Sequence, residues 1–85
     1  SKGKPNPEVF LTAAKLLNLS PEDCIVFEDS VAGIQAANNA NMISIGIGSS
    51  EVLFEADFVF KDFTEISTEF IDMLLTEELK LKNQS

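Results

Sequence analysis

Three short, largely apolar runs, at 24–27, 42–47 and 58–60, alternate with stretches whose apolar residues recur at helical spacing. The first of them, Cys24-Ile25-Val26-Phe27, contains no polar residue. A half-wet antiparallel strand alternates, whereas a strand covered on both faces in a parallel sheet reads as continuous apolar sequence. The order along the chain is helix, strand, helix, strand, strand, helix. Strands interleaved with helices in this way build right-handed crossover units on a parallel sheet. The class is α/β.

Local signals place the remaining elements. Residues 7–17 form the first helix, because Pro5 and Pro7 suit a helix start. Val9, Ala13, Leu16 and Leu17 share one face of it, opposite Glu8, Thr12 and Lys15. Asn18 suits the left-handed position past its end. Ser20-Pro21-Glu22-Asp23 reads as one capped turn, and a second helix is expected over 31–40. Ser50 is placed to cap a short turn reaching Phe54. The final helix starts near Ser67, with Ile66 and Ile71 spaced as a hydrophobic staple and Phe70, Met73, Leu74 and Leu75 as its apolar face. The polar end, 76–85, is expected to be a tail.

Composition removes several classes of function. The chain of 85 residues carries six lysines, no arginine and 14 acids, a net charge of −8. A field of that sign repels nucleic-acid backbones and anionic membranes, so neither is expected as a partner. No apolar run approaches the ~20 residues of a membrane helix. Histidine is absent and Cys24 is the sole thiol, which excludes disulfides within the chain and the usual zinc and iron–sulfur sites. Any metal must be a hard, oxygen-seeking cation such as Mg²⁺. Cys24 reads as an inert core thiol and the seven phenylalanines as core.

The chemistry concentrates at Glu28-Asp29-Ser30, directly after the first strand. Ligands in open α/β sheets sit at the carboxyl ends of strands. Two adjacent carboxylates repel each other unless a divalent cation relieves them. The plainer alternative is that both acids complement the dipole of the helix that follows. Lys4, held by Pro5 in extended backbone, is a point charge suited to phosphate, or else a solvated loop lysine. Gly46-Ile47-Gly48-Ser49-Ser50 is a weak phosphate-loop match, in which the glycines serve a sharp turn. Gly33 reads as a close-packing position.

Taken together, Gly3-Lys4-Pro5-Asn6-Pro7-Glu8-Val9-Phe10 and Ile25-Val26-Phe27-Glu28-Asp29-Ser30-Val31-Ala32-Gly33-Ile34 resemble the haloacid-dehalogenase superfamily. The Lys-Pro-x-Pro and Glu-Asp-Ser-x-x-Gly forms are similar to those of its β-phosphoglucomutase branch and of nearby sugar-phosphate phosphatases. The likeness runs on through Met42 to Gly48 and Ala56-Asp57-Phe58-Val59.

The resemblance implies a partial Rossmann-like three-layer sandwich, with residues 1–75 forming the carboxy-terminal part of the core domain. It implies that Lys4 is the catalytic, phosphate-binding lysine and that Glu28 and Asp29 hold Mg²⁺, with Asp29 the more direct ligand and Ser30 behind them. The implied activity is a phosphotransferase interconverting β-glucose 1-phosphate and glucose 6-phosphate through an aspartyl-phosphate. The alternatives are a phosphatase on a small phosphorylated metabolite or pyrophosphate, and a non-catalytic binding module. The family's Asp-x-Asp nucleophile motif is not found in these residues. The chain is therefore expected to be part of a longer protein whose amino-terminal half completes the site, and to be inactive alone. A cytoplasmic location is expected from the substrate and from a lone thiol.

Overall fold

The structure, a computed structural model, describes residues 5–74. In chain order it contains α1 (Glu8–Leu16), β1 (Ile25–Glu28), α2 (Val31–Asn39), β2 (Ile43–Ile47), β3 (Phe58–Phe60) and α3 (Thr68–Met73). Single 3₁₀ turns occupy Pro21–Asp23 and Phe63–Glu65. The strands lie in the order β1-β2-β3 and pair in parallel throughout. Ile25 stands opposite Ile43 and Glu28 opposite Gly46, while Ile45 stands opposite Phe58. The expected α/β class with a parallel sheet is what the chain adopts. Among the described residues, no helix is long and apolar enough to cross a membrane.

Side chains and backbone close the helix ends. The Ser30 hydroxyl accepts the Gly33 N–H at 2.9 Å to start α2, and that of Ser67 accepts the Phe70 N–H at 3.0 Å to start α3. Each satisfies a donor that has no partner within its helix. At α1 the work falls to Asn6, whose Oδ1 accepts from Glu8 N at 2.9 Å. Asn18 is left-handed with φ 60°, as expected, and lets Leu19 N–H reach the Ala14 carbonyl at 2.9 Å. Asn41 plays the same part after α2, with φ 64°.

Alternation along β2 divides the core into two layers. Ile43 and Ile45 are buried with Leu74, joined by Ile25, Ile47, Phe58, Phe60, Ile66 and Phe70. The Phe70 ring meets Phe58 and Phe60 edge-on, at centroid distances of 5.1 and 5.0 Å. The other layer joins Ala14 of α1 to Ala40 and Met42, with Phe10, Leu11, Cys24 and Val26 packed around them. Helices thus cover both faces of the sheet.

Several local expectations need correction. The inward face of α1 is Phe10, Leu11 and Ala14, whereas Val9 and Leu16 are 69% and 81% exposed. The helix carries apolar residues on two sides, and periodicity alone does not say which one meets the sheet. β1 is an edge strand among the described residues, and Phe27 on it is exposed, so it is not covered on both faces. Phe54 and Phe63 are exposed too, so the phenylalanines are not uniformly core. Ser20 stands at its expected N-cap position without a side-chain capping bond. The turn after β2 is closed by the Ser49 carbonyl, which accepts from Val52 and Leu53, and not by a Ser50 cap. Met73 is exposed, and the α3 face is carried by Phe70 and Leu74. Leu75, Lys4 and the tail at 76–85 lie outside the described residues.

Candidate functional site

The carboxyl ends of β1 and β2 open onto a cavity of about 280 Å³ lined by Phe27, Glu28, Asp29, Ile47 and Phe63. This is the edge at which open α/β sheets bind their ligands. Glu28 is the last residue of β1, and Asp29 and Ser30 form the bend leading into α2. The two acids therefore reach one space because the chain turns between them. Phe27 and Phe63 wall the cavity, their rings 5.9 Å apart at 40°. Gly48 follows β2 with φ +146°, a backbone that side-chain-bearing residues rarely adopt, and its N–H meets the Phe60 carbonyl at 2.8 Å.

Glu28 is held from two directions. The Ser30 hydroxyl donates to its Oε1 at 3.2 Å while accepting the Gly33 N–H. Gly33 leaves the space into which the Glu28 side chain folds: a Cβ there would stand 2.0 Å from Oε1 and 2.2 Å from Cδ. One carboxylate is thus fixed over the first turn of α2, where the helix dipole favours negative charge.

The donor set suits Mg²⁺ in kind, being two carboxylates, hard oxygen donors with no nitrogen or sulfur among them. Mg²⁺ usually takes one or two carboxylates and completes its octahedron with water and substrate oxygens. Among the described residues no cluster of three or more acidic or thiol side chains converges, so the described part of the chain offers those two. Cys24 stands at the other end of β1. Partial burial raises its thiol pKa, and the charges of Asp23 and Glu22 raise it further.

Sequence reasoning located Glu28 and Asp29 and the strand end that carries them. It did not find the walls Phe27, Ile47 and Phe63, which come from three separate segments. The link from Gly33 to Glu28 was in principle readable: a glycine in the first turn of a helix, five residues after an acid, invites that side chain to fold back.

The parallel α/β sheet agrees with what the comparisons with known proteins find. A family model for haloacid dehalogenase-like hydrolases matches residues 1–41. The chain belongs to the haloacid-dehalogenase superfamily, and its likenesses fall in the β-phosphoglucomutase-like branch. It is 41% identical over 71 residues to β-phosphoglucomutase of Bacillus subtilis, covering 84% of this chain and 31% of that protein. It is 46% identical over 69 residues to validoxylamine A 7'-phosphate phosphatase of Streptomyces hygroscopicus, covering 78% and 32%. A crystal structure of β-phosphoglucomutase from Clostridium difficile superposes with a TM-score of 0.81 at 41% identity, over 94% of this chain and 36% of that one. The chain thus spans about a third of the length of these relatives.

Proposed function

We propose that this chain is the carboxy-terminal part of the core domain, residues 1–75 with a tail at 76–85, of a Mg²⁺-dependent phosphoryl-transfer enzyme on small phosphorylated metabolites. Within that class the activity proposed is the interconversion of β-glucose 1-phosphate and glucose 6-phosphate. The observation that carries it is the pair Glu28 and Asp29 lining one cavity at the β1 carboxyl end, with Glu28 held in place. In this reading the two carboxylates hold the Mg²⁺, which supplies charge neutralisation for the transferring phosphoryl group. Lys4 precedes Pro5 at the opening of the chain and binds phosphate. The amino-terminal part of the same protein provides the nucleophilic aspartate. Phe27 and Phe63 give the cavity apolar walls.

A phosphatase is the second reading, supported by the 46% identity to a phosphatase, and it uses the same three residues. Incubating the full-length protein with β-glucose 1-phosphate separates the two. Glucose 6-phosphate supports the mutase, and free glucose with inorganic phosphate supports the phosphatase. Asp29→Asn is expected to raise the Mg²⁺ concentration needed for half-maximal rate well beyond the effect of Glu28→Gln. Equal and negligible effects of both would remove the metal assignment.

A further inference from the structure

We infer that Gly33 is a positioning residue for the metal-holding carboxylate, acting through the space it leaves empty and through Ser30; the inference rests on Glu28 and Asp29 holding Mg²⁺. A glycine in the first turn of α2 is costly on local grounds, since alanine is the better helix former there. Nor does this glycine serve the turn: Ser30, in extended backbone, caps α2 from outside, and the left-handed residues among those described, Asn18, Asn41 and Gly48, lie elsewhere. What the missing side chain does is visible in the distances. A Cβ at position 33 would overlap Oε1, Cδ and Cγ of Glu28, at 2.0, 2.2 and 2.7 Å. Since Glu28 is a flexible side chain, a substitution at 33 does not break the fold; it pushes the carboxylate out of its cradle. The same glycine also works through its backbone, as its N–H donates to Ser30 Oγ at 2.9 Å. That bond leaves the single Ser30 proton directed to Glu28 Oε1 at 3.2 Å. Space and hydrogen bond converge on one oxygen. Carboxylates that ligate metals depend on such outer partners for orientation.

The test uses the full-length protein with Mn²⁺ as the probe cation, its free fraction read by electron paramagnetic resonance without substrate, together with the melting temperature of the metal-free protein. Gly33→Ala is expected to weaken Mn²⁺ binding about 10–100-fold, with the metal-free melting temperature unchanged or raised because alanine favours the helix. A merely structural glycine would give the opposite pattern, a lowered melting temperature with unchanged metal affinity, and that result overturns the inference. Ser30→Ala is expected to weaken the metal as well, and Ser30→Thr, which keeps the hydroxyl, to retain it. Should Gly33→Ala fail to fold, this serine pair decides: equal Mn²⁺ affinity in Ser30→Ala and Ser30→Thr overturns the inference. Asp29→Asn separates the positioning role of Gly33 from the metal site itself. If it weakens Mn²⁺ while Gly33→Ala and Ser30→Ala do not, the positioning role falls and the metal site stands. If none of the three changes Mn²⁺ affinity, the metal reading itself falls and takes the positioning role with it.

Discussion

Cys24 sits between two influences that both disfavour its thiolate. Partial burial comes first, followed by the negative charges of Asp23 and then Glu22, and all three raise its pKa above the ordinary thiol value. The thiol, not the thiolate, therefore predominates up to a higher pH than in a free cysteine. Alkylation of the native protein by iodoacetamide is expected to be slower than that of glutathione at pH 8, and to climb steeply only at higher pH. A rate equal to that of glutathione would show the thiol to be unperturbed. Lysines pose the converse question, because two of them open the chain and only Lys4 precedes a proline. Under the proposed function, Lys4→Ala in the full-length enzyme removes an electrostatic contact worth about 3–4 kcal/mol of barrier, or roughly 10²–10³ in rate. Lys2→Ala is expected to be nearly silent. Steady-state kinetics on the two variants checks this, and a larger loss in Lys2→Ala would mean that the motif is misaligned by two residues.

Where β3 has not yet begun, a side chain continues its hydrogen bonding. Asp57 immediately precedes β3, and its carboxylate accepts the Ser44 N–H at 2.9 Å. Ser44 is fully buried on β2, and its hydroxyl accepts the Asp57 N–H at 3.0 Å and donates to Asn38 Oδ1 at 2.7 Å. Asn38 in turn gives its amide hydrogen to the Glu55 carbonyl at 2.9 Å, which fixes its orientation. This network ties α2, β2 and the loop before β3 together at the end of the sheet opposite the cavity. Asp57→Ala leaves the buried Ser44 N–H without that acceptor and is expected to lower stability by about 1–3 kcal/mol, read from the urea midpoint. Stability unchanged within error would show that water replaces the carboxylate. None of this was legible from pattern, because a polar network joins residues by geometry and leaves no period. The strands and some helix ends were legible, since their signals are local: the apolar run before Glu28, the start of α3 near Ser67, Asn18 past α1. The buried face of α1 was not, since Val9, Leu16 and Leu17 offer as good a stripe as Phe10, Leu11 and Ala14. The place of Glu28 and Asp29 at a strand end was legible from the apolar run before them, while the aromatic walls beside them were not.

At the scale of the whole molecule, folding and catalysis part company. The described residues hold a three-stranded parallel sheet with a helix layer on each face, yet β1 has a neighbour on one side only, and Val9, Leu16, Leu17 and Phe27 remain exposed. An open edge beside exposed apolar residues favours association. Under the proposed function the chain of 85 residues gives two carboxylates to a cation, but it contains no histidine, no arginine and no Asp-x-Asp pair. Its one thiol is held away from the thiolate by burial and by Asp23 and Glu22. Phosphoryl transfer through a covalent intermediate needs a nucleophile and a proton-transfer group within hydrogen-bond reach of the substrate. A cation and a lysine position and neutralise, but they do not attack. The 85 residues by themselves are therefore expected to turn over neither β-glucose 1-phosphate nor other sugar phosphates at any Mg²⁺ concentration; under the proposed function, adding the amino-terminal part of the full-length protein in trans is expected to restore activity if the two parts pair along β1. The measurement is phosphate release and glucose 6-phosphate formation by purified peptide, with Asp29→Asn peptide as the control for contaminating host phosphatase. Turnover that depends on Mg²⁺ and is lost in Asp29→Asn would place a complete catalytic set within these residues.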